Sequence, residues 1–341
     1  MKTDTITYLN DAIDIVVKSL QFNYKNIENK GIQKFVPHFS GRVGCGKSQG
    51  VQQAKNILAD WMVEQKKIKD ASEYNLIYLD APQMDYTDVN GWFVPSQDGQ
   101  TMNRLRPPHC PTDGYGIIFI DEFTQASQSV QSVLAQLILE RRLGEHKLGD
   151  GWMIVVASNR IKDRASTSVM PTQVRDRLKP WLNVDNTWES IANHFMNKGI
   201  NQKIVSWVKY TKDQFTSEQA FDRDANSNPT PRSIEVAGSV LDMELDEHLL
   251  RPMLCGTIGN EASTSLLAFI KYYDRLPDLK EIVKAPLQAP MVEQGQLAFV
   301  LTCELVKVVK HKREAFDSCV QYIERMYKEH NLSLIHISEP T

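Results

Sequence analysis

No apolar stretch of this sequence reaches the roughly 18 to 20 residues needed to cross a bilayer. No secretory leader is expected at the N-terminus, because Asp4, Asp11 and Asp14 fall where a basic region and then an uninterrupted apolar one would have to stand. Cysteine is sparse: Cys45, Cys110, Cys255, Cys303 and Cys319 are widely spread and include no CxxC pair, which suits a reducing compartment. These absences place the chain in the cytoplasm, with no membrane partner. There is no excess of one charge either. A formal net charge of −3 gives no global pull toward polyanions, so nucleic-acid binding would need a local patch. Internal repeats are missing too. What is present is an ordinary folding composition, 42% hydrophobic and 24% charged over 341 residues, enough for two or three compact units.

Apolar positions at helical spacing (Ile6, Leu9, Ile13, Val16, Val17, Leu20) predict an amphipathic helix over 4–20. FVPHFS (35–40) reads as a buried strand running into glycines, followed by a helix from about Lys47 to Gln65. NLIYLD (75–80), GIIFID (116–121) and WMIVVAS (152–158) are further apolar runs of strand length, each ending in a small or polar residue. Between the last two, QASQSVQSVLAQLILERR has helical periodicity. Alternating strands and helices predict a parallel sheet covered on both faces, with ligands at the carboxyl ends of its strands. After about residue 186 helical segments dominate: TWESIANHF, QKIVSWVKYTKDQF, PRSIEVAGSVLDM and ASTSLLAFIKYYDR, with a loop-like stretch at 218–231. A last helical region, about 294–330, carries an apolar stripe (Leu297, Leu301, Leu305, Val308) and a basic run, KVVKHKR, read as a solvated helix face. The final ten residues, LSLIHISEPT, look like translated sequencing adapter. Residues 332–341 are therefore expected to carry no function, and the natural protein to continue past Asn331.

The chemistry begins at GRVGCGKS, residues 41–48. Backbone N–H groups can wrap phosphate oxygens only where no Cβ obstructs them, which is why such a loop needs Gly41, Gly44 and Gly46. Lys47 would reach the β- and γ-phosphates, Ser48 would place its hydroxyl on magnesium, and Cys45 and Gln49 complete the cradle. Downstream, GIIFIDE ends a strand on two acids. Asp121 can hold magnesium through water, and Glu122 can orient and deprotonate an attacking water. WMIVVAS delivers Asn159, either a water-holding or γ-phosphate-sensing amide or a turn former. PTQVRDRL supplies Arg175 and Arg177, either of which could aid phosphoryl transfer or make a surface ion pair. TPRSIE puts Arg232 in the first turn of a helix started by Pro231, where it can fold onto bound phosphate.

In this order the motifs resemble the AAA+ ATPase family. The wording DEFTQASQSVQSVLAQLILERRLGEHKLGDGWMIVVASNRIKDRA, MPTQVRDRL and NPTPRSIE is most similar to its MoxR-like branch of bacteria and their phages, over roughly residues 30–280. The resemblance implies an α/β P-loop NTPase domain over 1–186 and an all-α lid over 187–278. A helical C-terminal extension would follow over 279–331. It implies ATP and Mg2+ as cofactors and a homo-oligomeric, usually hexameric, ring with ATP at subunit interfaces. If the chain is phage-encoded, its place is the cytoplasm of the bacterial host. Residue by residue, it implies Lys47 and Ser48 as Walker A, Asp121 and Glu122 as Walker B, Asn159 as sensor 1 and Arg232 as sensor 2. Arg177 matches the arginine finger, with Arg175 a competitor because the text reads RDRL, and RLGEHKL (142–148) resembles the hairpin before sensor 1. Arg42 and Val43 stand where the family often has prolines. Tyr86, Trp92 and Phe93 lie where such rings grip a polypeptide, although local packing under a long loop is the favoured expectation.

The leading expectation is therefore a Mg-dependent ATPase that remodels or activates a protein client, with a von Willebrand factor A-domain protein as the kind of client the branch suggests. The alternative is a nucleic-acid-associated AAA+ ATPase such as a helicase loader. A scaffold that holds ATP without turnover is the third, and the intact Glu122 argues against it.

Overall fold

Strands that are apolar at nearly every position need cover on both faces, and in the computed structural model of the chain they have it. The structure describes residues 6–29, 31–160, 170–216, 222, 225–292, 298, 301–302, 304–306, 308–309 and 312–330. The chain divides into two compact units, Met1–Asn186 and Thr187–Thr341. The first begins with β1 (Ile6–Tyr8), α1 (Leu9–Lys25), β2 (His38–Gly41), α2 (Lys47–Glu64) and β3 (Tyr74–Asp80). It continues through α3 (Tyr86–Asn90), β4 (Phe93–Pro95), β5 (Met102–Arg104), β6 (Tyr115–Asp121) and α4 (Gln128–Glu140). It closes with β7 (Arg142–Leu143), β8 (His146–Lys147), β9 (Trp152–Ser158), α5 (Thr172–Arg177) and β10 (Trp181–Asp185). The main sheet has the order β1-β10-β2-β9-β6-β3, and every neighbouring pair in it is parallel.

The period-2 alternation of strand side chains divides this sheet's apolar content between two cores. Ile117 and Phe119 of β6 and Met153, Val155 and Ala157 of β9 join Ala12, Val16 and Leu20 of α1 and Val51, Ala54 and Leu58 of α2. Their neighbours Ile118, Ile120, Ile154 and Val156 face Val130, Leu134 and Leu137 of α4 and Val174 of α5. Tyr24 fastens α1 to the sheet, its hydroxyl lying 2.9 Å from Tyr74 Oη and 3.2 and 3.1 Å from the Gly116 and Gly151 carbonyls. A Cβ on Gly116 would sit 2.3 Å from the Asn75 carbonyl oxygen, so β3 and β6 approach this closely only over glycine.

The N-terminal text departs from its expectation. Residues 6–8 form a strand, and the helix starts at Leu9 and runs to Lys25. The reason is β10, a strand hidden in the short run WLNVD, whose Asn183, Val184 and Asp185 pair with Ile6, Thr7 and Tyr8. The stretch MDYTDVNGWFVP is a one-turn helix followed by the first arm of the antiparallel hairpin β4–β5. Trp92, Phe93, Met102 and Leu105 on this hairpin are 64, 49, 58 and 53% exposed, so they are not packed beneath a loop. RLGEHKL forms the hairpin β7–β8, with Gly144 at φ 57° in its two-residue turn.

The second unit is helical: α6 (Trp188–Lys198), α7 (Gln202–Thr211), α8 (Pro231–Asp242), α9 (Glu247–Ile258), α10 (Asn260–Tyr273), α11 (Leu279–Lys284) and α12 (Phe316–His330). Helix α9 has no counterpart among the helical segments expected from the sequence. Trp207, Phe195, Ile234, Leu254 and Leu266 build one core, and Ile282, Leu301, Leu305, Tyr322 and Met326 a second. Thr230 caps α8 reciprocally with Ser233, and Pro231 occupies its first turn. A parallel sheet flanked by helices and followed by a helical region is thus the architecture of the chain. Residues 218–221, 223 and 224 of the loop expected at 218–231, Leu297, Cys303, Lys307, Lys310 and His311 of the basic run and the tail 332–341 lie outside the described residues. Among the described residues, no helix is long and apolar enough to cross a membrane.

Candidate active site

Strand β2 ends at Gly41, and the chain must then turn sharply to enter α2 at Lys47. The turn uses left-handed backbone at Gly44 (φ 74°) and Gly46 (φ 89°), conformations that L side chains rarely adopt. At Gly41 the restriction is space, because a Cβ there would lie 2.8 Å from both Cys45 Sγ and the Val184 carbonyl oxygen. The loop is tied to β10 on its other side. Arg42 Nη2 donates to Asp185 Oδ1 at 2.7 Å, and Asn186 Nδ2 donates to the Cys45 carbonyl at 2.7 Å. Cys45 is itself buried, and that burial pushes its thiol pKa up.

Lys47 is 7% exposed and spends all three ammonium protons on protein acceptors. These are the carbonyls of Gly41 (3.0 Å) and Arg42 (2.9 Å) and Asn159 Oδ1 (2.8 Å). Asn159, at the tip of β9, therefore stands at the loop, and its Nδ2 is buried with no hydrogen-bond partner. An orphaned buried donor costs about 1–3 kcal/mol unless a ligand accepts from it. Beneath it, His38 Nε2 of β2 lies 2.8 Å from Ser158 Oγ of β9, with the ring 3.9 Å from Trp181. Burial first and the Lys47 charge second push His38 down to about 3, so the imidazole is neutral.

Ser48 is the second residue of α2, and its Oγ donates to Asp121 Oδ2 at 2.6 Å. Asp121 Oδ1 accepts from the backbone N–H of Glu122 at 2.9 Å. Glu122 sits at φ 51°, ψ 34°, left-handed backbone that is costly for a residue with a Cβ and is found concentrated at functional sites. Tyr78 of β3 adds a donor the motif did not announce, its hydroxyl reaching Asp121 Oδ2 at 3.1 Å. Gln49 is exposed on the first turn of α2.

The structure thus assembles Gly41, Gly44, Cys45, Gly46, Lys47, Ser48, Asp121, Glu122 and Asn159 at the carboxyl ends of β2, β6 and β9. Arg175 and Arg177 are not among them. Both lie on α5, before β10 begins, and β10 starts in register with the first residue of β2, whereas the loop follows the last residue of β2. Arg175 is exposed, and Arg177 is half-buried with its Nε buried and without a hydrogen bond. Arg232 is exposed on the first turn of α8, in the second unit.

These residues fit a magnesium nucleotide. The left-handed glycines let the turn present backbone N–H groups of the kind that wrap phosphate, Lys47 offers the charge, and Ser48 and Asp121 offer hard oxygens of the kind magnesium prefers. No group of three or more His, Cys, Asp or Glu capable of holding a metal occurs among the described residues. An ion held here would complete its shell with phosphate oxygens and water, as magnesium ordinarily does.

Residues 39–178 match the family model described as AAA domain (dynein-related subfamily). None of the curated proteins compared with the chain matches it. Among solved structures the chain is similar to a RuvB variant of Thermotoga maritima, at 14% identity over 82% of this chain and 79% of that chain, with a TM-score of 0.38. It is also similar to the Orc1 protein of Aeropyrum pernix in complex with DNA, at 12% identity over 98% and 82% of the two chains, with a TM-score of 0.43. PCH-2 of C. elegans is similar at 11% identity over 78% and 70%, with a TM-score of 0.41.

Proposed function

We propose that the chain, which carries an AAA domain over residues 39–178, binds ATP with magnesium and hydrolyses it as an oligomeric ring that remodels a partner protein. The observation that carries this reading is the convergence of Lys47, Asn159, Ser48 and Asp121 around one glycine turn. Lys47 binds phosphate, exchanging carbonyl and amide acceptors for charged oxygens. Asn159, released from Lys47, offers its unsatisfied Nδ2–H to the γ-phosphate or to the attacking water. Glu122 orients that water and takes its proton. Bound magnesium would neutralise charge on the transferred phosphoryl group, held by Ser48 and by Asp121 through water.

The ring reading is supported by where the two arginines of α5 lie. Arg175 and Arg177 lie on α5, before the start of β10 and so toward the end of β2 away from its own loop, a placement that favours a guanidinium serving another copy's site. A finger supplied in trans accelerates phosphoryl transfer by about three to five orders of magnitude. Arg177 takes that role in this reading, and Arg232 couples the helical unit to nucleotide state. A protein client of the MoxR-like kind is supported by the exposed Trp92, Phe93, Met102 and Leu105 of β4–β5, an apolar surface suited to polypeptide.

Glu122→Gln tests the mechanism. It should bind ATP with wild-type affinity and lose turnover by at least about a hundredfold, the scale of a general base. Turnover like that of wild type would sink the assignment. Stimulation of wild-type turnover by unfolded polypeptide but not by DNA is expected, and salt-sensitive stimulation by DNA would favour the nucleic-acid reading instead.

A further inference from the structure

The carboxylate of Asp121 has a donor that neither the phosphate loop nor the acidic pair supplies. Tyr78 stands on β3, the edge strand of the sheet, and the parallel register sets Tyr78 opposite Phe119 and Asp80 opposite Asp121. The Tyr78 ring leans on Phe119, with centroids 5.6 Å apart. From there its hydroxyl donates to Asp121 Oδ2 at 3.1 Å, the same oxygen that accepts from Ser48 at 2.6 Å. Asp121 Oδ1 is meanwhile held by the Glu122 N–H at 2.9 Å. Three donors from three places in the chain thus fix both oxygens of one carboxylate.

The ring does not account for a tyrosine here. Tyr78 is 51% exposed, and a phenylalanine would cover Phe119 equally well. The hydroxyl could also have been satisfied by water. Instead it is turned inward to a buried carboxylate, where a hydrogen bond to a charged group counts for more than one to a neutral acceptor. Ser48 cannot do this work alone, since its oxygen is also expected to face the cation.

Resting on the reading of this site as a magnesium-nucleotide site, we propose that Tyr78 is a positioning residue for the metal. It holds Asp121 in the rotamer that serves the cation and, through Oδ1, supports the left-handed backbone that presents Glu122. It acts through Asp121 and has no role in gripping phosphate, which belongs to the loop.

Tyr78→Phe keeps the ring and removes only the donor, so the fold should be retained. The variant should need roughly five- to tenfold more Mg2+ for half-maximal ATP turnover, the net scale of one ordinary hydrogen bond, as expected for a half-exposed hydroxyl that water can partly replace. Mn2+ bound together with a non-hydrolysable ATP analogue, followed by electron paramagnetic resonance, should weaken by the same factor. Affinity for the analogue in EDTA should be unchanged. An unaltered Mg2+ requirement and unaltered Mn2+ affinity overturn the proposal and leave Tyr78 a surface residue. Equal loss of analogue affinity with and without metal also overturns it, since the effect would then lie in the loop. If wild-type protein binds the analogue no better with Mn2+ than in EDTA, the reading of the site as a metal-nucleotide site falls, and this inference falls with it.

Discussion

His38 shows how tightly a single residue is constrained beneath the glycine turn. It is fully buried, neutral and pushed down to about 3 from the ordinary imidazole value near 6.5. In the unfolded chain it charges as pH falls below about 6.5, whereas in the folded chain it stays neutral to about 3. Its stabilising contribution is therefore complete above 6.5 and is lost progressively on acidification between those limits. Between pH 7.5 and 5, His38 alone should cost about 2 kcal/mol. Denaturant titrations of wild type and His38→Asn at both pH values measure this, and equal pH sensitivity in the two proteins would refute it. Cys45 should show the same enclosure chemically. Its buried thiol, with pKa pushed up, should react with iodoacetamide at least about tenfold more slowly than the half-buried Cys255 until the protein is denatured. Equal labelling rates would show that the loop opens to reagents. At this scale the sequence discloses what is local. Lys47 and Ser48 lie in one eight-residue loop, and Asp121 with Glu122 closes one apolar run. Tyr78, His38 and Asp185 escape notice because their partners stand 43, 120 and 143 positions away. Only the strand order brings them together.

Between elements, Arg104 joins the two hairpins. From the end of β5 its Nη1 donates to Asn90 Oδ1 at 2.9 Å, its guanidinium lies 4.8 Å from the Phe93 ring centroid, and its Nε approaches Glu145 to 3.8 Å. Its carbonyl oxygen lies 2.9 Å from His146 Nε2 on β8. Gly144 makes the approach possible, since a Cβ there would fall 1.7 Å from the Arg104 Nη1. Arg104→Ala should therefore loosen residues 92–105 and 142–147 together, seen as faster amide hydrogen exchange in both segments with the central strands unchanged. Loosening of β4–β5 alone would mean that the hairpins are independent. The long elements are legible in the sequence: the unbroken apolar run WMIVVAS coincides with β9, and the helix expected from Lys47 to Gln65 coincides with α2 to within a residue. The short ones are not. β10 is five residues long and β1 three, and their pairing with each other, which neither sequence reveals alone, turned the expected start of the first helix into a strand.

At the scale of the whole assembly, the proposed ring with fingers in trans makes a complementation prediction. Lys47→Ala removes the phosphate grip and keeps the finger, while Arg177→Ala does the reverse. Each variant alone should be inactive in ATP turnover. An equimolar mixture should recover up to roughly a quarter of wild-type activity, because a random half of the sites then meets a random half of the fingers across head-to-tail interfaces. No recovery on mixing, or full activity of Arg177→Ala alone, would refute the trans arrangement.

The N-terminal strand and helix carry a practical consequence. The segment that matches the AAA domain model starts at Phe39 and stops at Leu178, but the sheet does not. β1 and β10 lie outside that segment, and so do Ala12, Ile13, Val16, Val17 and Leu20, which are at most 5% exposed where α1 covers α2 and the sheet. A fragment trimmed to those limits would bare the edge of β2 to strand pairing with its neighbours and strip the apolar cover from α2. The boundary of ancestry and the boundary of folding differ in this chain, and an expression fragment cut to the first would be expected to aggregate.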